Sequence, residues 1–252
     1  MTRAAVFVTA RTGSTRLPNK ALLEVSPGVR SIEFLFQRLT NVTATDVTVL
    51  ATTELPEDDI LCSIAAEYGV RVYRGSVHDK LERWRGAAEE FGISVFATAD
   101  GDDLLCDPGL IDHAIGVMRS DPAIDFLECA EVPCGAFTYS IRTTALNRVC
   151  EMKKSTDTEM MWVYFKDTGV FTLYSMPAPS ADLVRPDYRL TLDYPEDLEF
   201  FKRVIEHFEG RSNVSMSEVV AFLDKHPEIR AINSFRQEDF VANQIRRTHL
   251  EV

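Results

Sequence analysis

Apolar runs alternate with helical patterns along the first part of the chain. Four short segments rich in Val, Ala or aromatic residues end near polar residues or glycine, which is typical of β-strands. These segments are Ala4–Thr9, Val47–Thr52, Val70–Arg74 and Val95–Ala99. Between them, apolar residues recur at helical spacing in Ser31–Leu39, Ile60–Tyr68 and Leu81–Phe91. The alternation predicts an α/β fold with a mainly parallel sheet and helices on both of its faces.

The pattern changes after Asp107-Pro108, where a helix is predicted to run to about Arg119. The strands predicted next are Asp125–Cys129, Phe137–Ile141 and Val170–Met176. A charged helical piece, Glu151–Phe165, is predicted between the last two of them. We interpret the stretch of about 120–185 as an insertion that lies against the edge of the sheet. A strand, Arg189–Asp193, and a strong helix, Pro195–Phe208, are predicted to follow it.

The C-terminal tail, about residues 210–252, is predicted to be helical as far as Lys225 and is too polar beyond Asn233 to assign. The chain has 252 residues, of which 45% are hydrophobic, so we expect one domain with one sizeable core over residues 1–252. No apolar run reaches about 18 residues, so no membrane span is expected. The five cysteines include no C-x-x-C pair, which argues against a disulfide framework or structural zinc and favours the cytoplasm.

Charge separates one segment from the rest of the chain. A net charge of −12 repels a phosphate backbone, so nucleic-acid binding is not expected. Yet Arg11, Arg16 and Lys20 lie close together after the first strand, around the turn Gly13-Ser14. Backbone N–H groups of such a turn and cationic side chains suit a polyphosphate, although the spacing is neither a P-loop nor a dinucleotide fingerprint. The alternative is a solvated basic loop.

Acidic residues follow two other strands. Asp100-Gly101-Asp102-Asp103 ends the fourth strand, and carboxylates packed this closely suit Mg²⁺, although Asp and Gly also favour a plain turn. Asp193 ends the late strand and could supply a further carboxylate to that metal. It could instead cap the next helix, with Glu196 completing a capping box and Pro195 in the first turn. Both interpretations of Asp193 stay open.

In this order the segments resemble one family, the cytidylyltransferases that make CMP-activated sugar acids. The resemblance includes the CMP-3-deoxyoctulosonate and CMP-acylneuraminate synthetases and is closest to the spore-coat polysaccharide protein F branch. It covers about residues 4–205. It rests on Ala10-Arg11-x-Gly13-Ser14-x-Arg16-Leu17-Pro18-x-Lys20, Ala51-Thr52, Asp58-Asp59, Tyr73-Arg74-Gly75-Ser76, Gly101-Asp102, Asp107-Pro108 and Arg189-Leu-Thr-Leu-Asp193-x-Pro195-Glu196-Asp197-Leu198-Glu199.

The resemblance implies a nucleotide-diphospho-sugar transferase-like, Rossmann-like fold, and a Mg²⁺-dependent transfer of CMP from CTP to a small anionic acceptor, with pyrophosphate released. It implies a homodimer that serves polysaccharide biosynthesis and cell-surface glycans. Asp102 and Asp193 would bind Mg²⁺, and Arg11, Lys20 and Asp102 would be catalytic. The implied nucleotide-binding residues are Ala10, Arg11, Gly13, Ser14, Arg16, Lys20, Ala51, Thr52, Arg74, Gly75 and Asp100.

The acceptor half departs from the pattern of that branch. The basic residue and proline usual around Thr98–Leu105 are absent, and two acids are added. Gly135–Ser140 lacks both acids usual there, which predicts a less charged and more aromatic side of the acceptor site. We expect an anionic acceptor, such as a sugar acid, phosphate or phosphonate, that is not a standard sialic acid. Arg189 and Tyr139 are the predicted acceptor-binding residues.

Two other hypotheses remain open at this point. Asp100-Gly101-Asp102 is formally the D-x-D of a metal-dependent glycosyltransferase that uses a nucleotide-sugar. The cationic loop favours a triphosphate substrate over that alternative. The absent acids of Gly135–Ser140 also allow a nucleotide-binding protein without catalysis.

Overall fold

A computed structural model describes residues 2–248 and 250–252 of the chain. The strands are β1 Ala4–Thr9, β2 Glu24–Ser26, β3 Val29–Arg30, β4 Val47–Thr53, β5 Arg71–Gly75, β6 Val95–Asp100, β7 Phe126–Glu128, β8 Tyr139–Arg142 and β9 Leu173–Ser175. The helices are α1 Ser31–Leu39, α2 Asp59–Glu67, α3 Lys80–Phe91, α4 Pro108–Ser120, α5 Thr143–Met152, α6 Val163–Lys166, α7 Pro195–His207, α8 Met216–Lys225, α9 Pro227–Arg230 and α10 Arg236–Arg247. No helix among these residues is long and apolar enough to span a bilayer.

Within the described residues the main sheet has seven strands in the order β5-β4-β1-β6-β8-β7-β9. The strands β5, β4, β1 and β6 are parallel, whereas β8 runs antiparallel to both β6 and β7. The strands β2 and β3 form a separate antiparallel pair. The predicted α/β fold with a mainly parallel sheet is therefore confirmed, and its carboxyl ends face one edge.

The sheet is covered on both faces because successive residues of a strand point to opposite sides. In β1, Val6 and Val8 pack into a large cluster with α1, α4, α7 and α8. Phe7 points to the other face, where α3, α5 and α6 pack. There its ring stacks on Phe96 at 4.4 Å between centroids, and Trp84 meets Phe96 edge-on at 5.7 Å. Burial on both faces explains why β1, β4 and β6 have continuous apolar sequences.

The stretch of about 120–185 differs from its prediction in two ways. Its strands β7, β8 and β9 extend the main sheet beyond β6, rather than lying against its edge. The predicted helix Glu151–Phe165 is wrong, because α5 ends at Met152 and the next helix, α6, starts at Val163. Long-range contacts replace helical ones between them: Lys153 and Thr158 bind the buried Asp79 at 2.5 and 2.8 Å.

The segment Arg189–Asp193 and the C-terminal tail also differ from the sequence-based prediction. The predicted strand Arg189–Asp193 is extended chain with a single bridge, between Arg189 and Cys134. Its backbone hydrogen bonds go instead to loops, from Leu190 N to Cys134 O at 2.7 Å and from Leu192 N to Asp102 O at 2.9 Å. The polar tail contains the regular helix α10, none of whose residues is buried.

Candidate active site

A cleft of about 480 Å³ opens at the carboxyl ends of β1 and β6. This size is within the range of about 300–1,000 Å³ that small-molecule sites usually have. The walls are the loop after β1, the turn before α3, the end of β6, two pieces of the stretch 120–185 and helix α10. Of the predicted site residues, those lining the cleft are Ala10, Arg11, Gly13, Ser14, Arg16, Lys20, Asp100, Asp102 and Tyr139.

The loop after β1, residues 10–20, is held by a buried carboxylate. Asp58 accepts hydrogen bonds from Thr12 N at 2.7 Å and from Thr12 Oγ1 at 2.8 Å, and its other oxygen binds Thr53. Gly101 brings the end of β6 against this loop, since a Cβ on Gly101 would lie 2.7 Å from Ala10 Cβ. The loop is thus fixed to the sheet at both sides, with its cations directed into the cleft.

Carboxylates from two distant parts of the chain converge on one ammonium group. Lys20 Nζ lies 2.8 Å from Asp193 Oδ1 and also donates to Asp102. Arg16 donates to the same Asp193 oxygen. Asp102 follows β6, whereas Asp193 ends the extended segment before α7, so only the tertiary fold brings them together.

The cations and acids of this group shift one another's titration. The pKa of Lys20 is raised: burial lowers it, but the carboxylates of Asp102 and Asp193 more than compensate. Burial also opposes ionisation of Asp193, yet Lys20 and Arg16 hold its pKa below the ordinary value. Asp102 differs, because burial and the negative charge of Asp193 raise its pKa in spite of Lys20. The pKa of Asp103 is raised well above its ordinary value by burial and by Asp102.

The three carboxylates at the end of β6, those of Asp100, Asp102 and Asp103, fit a divalent cation. One oxygen from each of Asp100, Asp102 and Asp103 lies within 4.8 Å of the others. Oxygen-only ligands of this kind suit Mg²⁺ and similar hard cations. The Lys20 ammonium, a cation, already lies between Asp102 and Asp193. Burial, with Asp193 and Asp100 nearby, raises the pKa of Asp102 in spite of Lys20, so a further cation at this position would favour its ionised form.

Arg11 is held by an acid from the other half of the molecule. Its Nη2 lies 3.1 Å from Glu159 Oε2, and its Nη1 donates to Val77 O at 3.2 Å. Arg247, in α10, binds the same Glu159 oxygen. One carboxylate therefore faces two guanidinium groups at the mouth of the cleft, where an anionic ligand could replace it.

Four of the predicted nucleotide-binding residues do not line the cleft. Ala51 and Thr52 are completely buried in β4. Arg74 points away and holds the chain after β4, donating to Thr53 O at 2.9 Å and Leu55 O at 2.8 Å. Gly75 lies against neighbouring side chains rather than open space. In this geometry the four residues support the wall of the cleft.

The geometry does not support acceptor binding by Arg189. Its guanidinium is completely buried and binds Asp197 at 2.9 and 2.8 Å, with Asp193 Oδ2 at 3.4 Å. Arg189 is not among the residues that line the cleft. The Arg189 guanidinium instead forms ion pairs with Asp197 and Asp193. It contacts the Asp193 oxygen that does not face Lys20.

Asp193 is not a helix cap. The N-cap of α7 is Tyr194, and Asp197 accepts the N–H groups of Asp193 and Tyr194 at 2.9 Å each. Glu196, which would complete a capping box in that alternative, forms an ion pair with Arg236 at 2.8 Å. The Asp193 side chain is buried, faces Lys20 and Arg16 and is not among the residues that line the cleft, so its binding of a metal stays a prediction.

Tyr139 lies on the acceptor side predicted from the sequence. It begins β8, lines the cleft and packs its ring on Phe126 at 4.7 Å between centroids. Burial and the nearby Asp100 raise its pKa, so the hydroxyl keeps its proton and can donate a hydrogen bond. Contact between Tyr139 and an acceptor stays a prediction.

Helix α10 and part of α3 contribute residues that the sequence analysis missed. The inward face of α10 lines the cleft with Gln237, Phe240, Gln244 and Arg247, and α3 contributes Lys80 and Arg83. The ring of Phe240 lies 5.9 Å from the Arg16 guanidinium carbon. The residues of α10 recur at helical spacing, which was the available signal. The signal was weak because the apolar residues of α10 are few and most of the helix is polar.

A cationic loop that faces an acidic cluster, at the carboxyl ends of a mainly parallel sheet, is the arrangement that nucleotidyl transfer requires. The chain belongs to the cytidylyltransferase family, since that family's model matches residues 5–244. This confirms the resemblance and the enzyme class, and favours them over the glycosyltransferase and non-catalytic hypotheses.

Individual relatives agree with this assignment. The chain is 29% identical over 229 residues to the spore coat polysaccharide biosynthesis protein SpsF of Bacillus subtilis, covering 88% of this chain and 94% of the relative. A solved cytidylyltransferase from Leptospira borgpetersenii matches with a TM-score of 0.83 and 26% identity, over 91% of this chain and 97% of that chain. A CMP-2-keto-3-deoxy-manno-octonic acid synthetase complexed with CTP shares the fold, with a TM-score of 0.63, 16% identity and coverage of 82% and 100%.

Proposed function

We propose that this enzyme transfers CMP from CTP to a small anionic acceptor and releases pyrophosphate, with Mg²⁺ as its cofactor. The observation that carries the proposal is the convergence of Asp102 and Asp193 on Lys20, beside Arg16. A loop rich in cations and an all-oxygen acidic group are complementary to a nucleoside triphosphate and its metal. Membership of the cytidylyltransferase family supports CTP as the nucleotide.

The reaction requires position and charge neutralisation more than covalent chemistry from the protein. Arg11, Arg16 and Lys20, with the backbone N–H group of Gly13, would bind the phosphates. An acceptor oxygen would attack the α-phosphorus in line, while the bond to the bridging oxygen breaks and pyrophosphate leaves. The same cations would neutralise the charge that develops on that leaving group.

Mg²⁺ would be held by Asp102 and Asp193 and would supply charge neutralisation at the phosphates. Lys20 would then bind a phosphate oxygen in place of one of its two carboxylates. Arg189 and Asp197 hold Asp193 from behind, at 3.4 Å and 2.9 Å, so that its orientation does not depend on the ligand.

The proposed acceptor is a sugar acid, a phosphate or a phosphonate. An anionic oxygen can attack phosphorus without a strong general base. Tyr139, with the aromatic ring of Phe137 nearby in the cleft wall, would face this acceptor. The name of the Bacillus subtilis relative supports a role in polysaccharide biosynthesis. A cytoplasmic homodimer is part of the same proposal.

Pyrophosphate release tests the proposal directly. The protein is incubated with CTP, Mg²⁺ and, one at a time, sugar acids, phosphosugars, phosphonates and phosphorylated amino acids. We expect release with an anionic acceptor only, and little release when ATP or GTP replaces CTP or when a chelator removes Mg²⁺. Turnover of a neutral alcohol would contradict the anionic acceptor, and equal use of purine nucleotides would contradict the choice of CTP.

A further inference from the structure

Arg83 is a buried cation without a counter-ion in the wall of the cleft. It is 4% exposed and lies in α3, where it lines the cleft. Its Nη1 donates to Ser76 O at 2.6 Å, while its buried Nε has no hydrogen-bond partner. In the part of the chain that the structure describes, it forms no ion pair with a carboxylate. Burying a charge in this way is costly unless something compensates it.

The guanidinium of Arg11 lies near that of Arg83 and adds a second positive charge. Arg11 donates to Val77 O at 3.2 Å, next to the Ser76 carbonyl that holds Arg83. Burial and the positive charge of Arg11 lower the pKa of Arg83 to about 10. Arg11 has Glu159 as a partner, whereas Arg83 has none within the described chain. Asp100, Asp58 and Glu159 act on Arg83 only at longer range, so its guanidinium lies in the cleft wall without a directly paired carboxylate among the described residues.

The Arg83 side chain is confined to this position by its neighbours. A Cβ on Gly75 would lie 3.4 Å from Arg83 Cγ and 2.9 Å from Tyr73 Cε1, so the stem occupies a narrow space. The start of α3 is fixed as well, because its N-cap Asp79 accepts from Glu82 N at 3.1 Å. Arg85 of the same helix differs, since it is partly exposed and pairs with Glu82 at 2.6 Å.

We propose that Arg83, together with Arg11, forms an anion-binding subsite of the cleft, filled by a phosphate or carboxylate group of one of the two substrates. A guanidinium can bind such a group through two parallel N–H bonds, which suits a planar fork held in place. The choice of CTP and a sugar acid as substrates rests on the proposed function, but the anion subsite itself does not. Arg83 would be a binding residue that touches substrate.

Binding measurements on the full chain test this subsite. Calorimetric titrations compare the wild type with Arg83→Met and with the matched control Arg85→Met, which removes the same charge from the solvent side of α3. The probes are CTP, inorganic pyrophosphate, 3-deoxy-manno-octulosonate and, as a neutral probe, cytidine. We expect Arg83→Met to weaken at least one anionic probe by about tenfold or more, to leave cytidine within about twofold, and Arg85→Met to change nothing.

The pattern of losses identifies the group that is bound. If Arg83→Met weakens the binding of both CTP and pyrophosphate, the bound group is a phosphate. If it weakens the binding of the sugar acid alone, the bound group is a carboxylate. Unchanged affinity for every anion that the wild type binds overturns the proposal, as does an equal loss for cytidine. If Arg83→Met fails to fold, Arg83→Lys keeps the charge without the fork, and several-fold weaker binding of the same anion is expected.

Failure of the proposed function gives a different result. If the proposed function is wrong, the wild type binds CTP, ATP and GTP equally well. The pyrophosphate titration of Arg83→Met still tests the anion subsite in that case.

Discussion

The two sides of the cleft are built in different ways. The phosphate side consists of the loop of residues 10–20 and the end of β6, which follow strands buried on both faces of the sheet. The opposite side consists of segments from the stretch 120–185 and of α10, which has no buried residue. The ion pair between Glu159 and Arg11 links the two sides, and the pair between Glu159 and Arg247 joins the two parts of the opposite side. Rigid sheet thus positions the charges for the phosphates, while the opposite wall depends on partly exposed contacts.

The two sides of the cleft also differ in the chemistry of the residues that line them. On the phosphate side, cations face acids at short range, as in the pairs Lys20–Asp193 and Lys80–Asp100, both at 2.8 Å. On the opposite side, aromatic residues such as Phe137, Tyr139 and Trp162 line the cleft beside the polar residues of α10. A nucleotide needs a fixed pattern of charge, whereas acceptors vary between enzymes, so the second wall is the place where specificity can change.

The largest effect is expected from the acidic pair on the rigid side. Asp102→Asn and Asp193→Asn each remove a charge from the proposed metal site, which should cost several kcal/mol of transition-state stabilisation, at least about a hundredfold in kcat. Turnover measured against Mg²⁺ concentration checks this, with Asp187→Asn, an exposed acid, as the control. If Asp193→Asn lowered only the melting temperature and left turnover unchanged, its role would be structural.

The anchoring of the loop is the next largest effect. Asp58→Ala leaves Thr12 N and the hydroxyls of Thr12 and Thr53 without their buried acceptor, so we expect about 3 kcal/mol less stability against urea. The matched control is Asp59→Ala, whose exposed pair with Arg74 should be worth less than about 1 kcal/mol. Equal losses in the two variants would show that the loop does not depend on Asp58.

A smaller effect is expected on the other wall. Deleting residues 235–252 removes α10 from the cleft, so KM should rise about tenfold, roughly 1.4 kcal/mol, through lost ligand contacts. Because no residue of α10 is buried, the melting temperature should hardly change. Ile245→Ser, on an exposed position of the helix, serves as the control. A large fall in stability would mean that α10 belongs to the core rather than to the wall.

The smallest effect concerns the contact between the walls. Glu159→Gln frees Arg11 and Arg247 from their shared carboxylate, so CTP should bind up to about fivefold more tightly, as expected for a partly exposed ion pair. Calorimetric titration at low and high salt measures this gain, which should shrink as salt screens the pair. Weaker binding of CTP by this variant would mean that Glu159 contributes to the site directly.

The sequence alone determined the phosphate side to a large extent. Apolar runs that are buried on both faces mark a strand whatever surrounds them, so β1 was predicted with its exact ends, Ala4–Thr9. Helix α1 likewise has the predicted bounds, Ser31–Leu39. The carboxyl ends of parallel strands share one edge of the sheet, so Lys20 and Asp102 could be expected to meet.

Only the tertiary structure decided which partner each charge has. The sequence does not distinguish the roles of Arg189, Arg74 and Arg83. In the structure, Arg189 binds Asp197, Arg74 donates to the Leu55 carbonyl, and Arg83 lines the cleft. The polar tail could not be placed, because α10 has few apolar residues and none of its residues is buried. Periodicity reports on the local chain, whereas ion pairs and burial depend on residues brought together through space, which no local pattern contains.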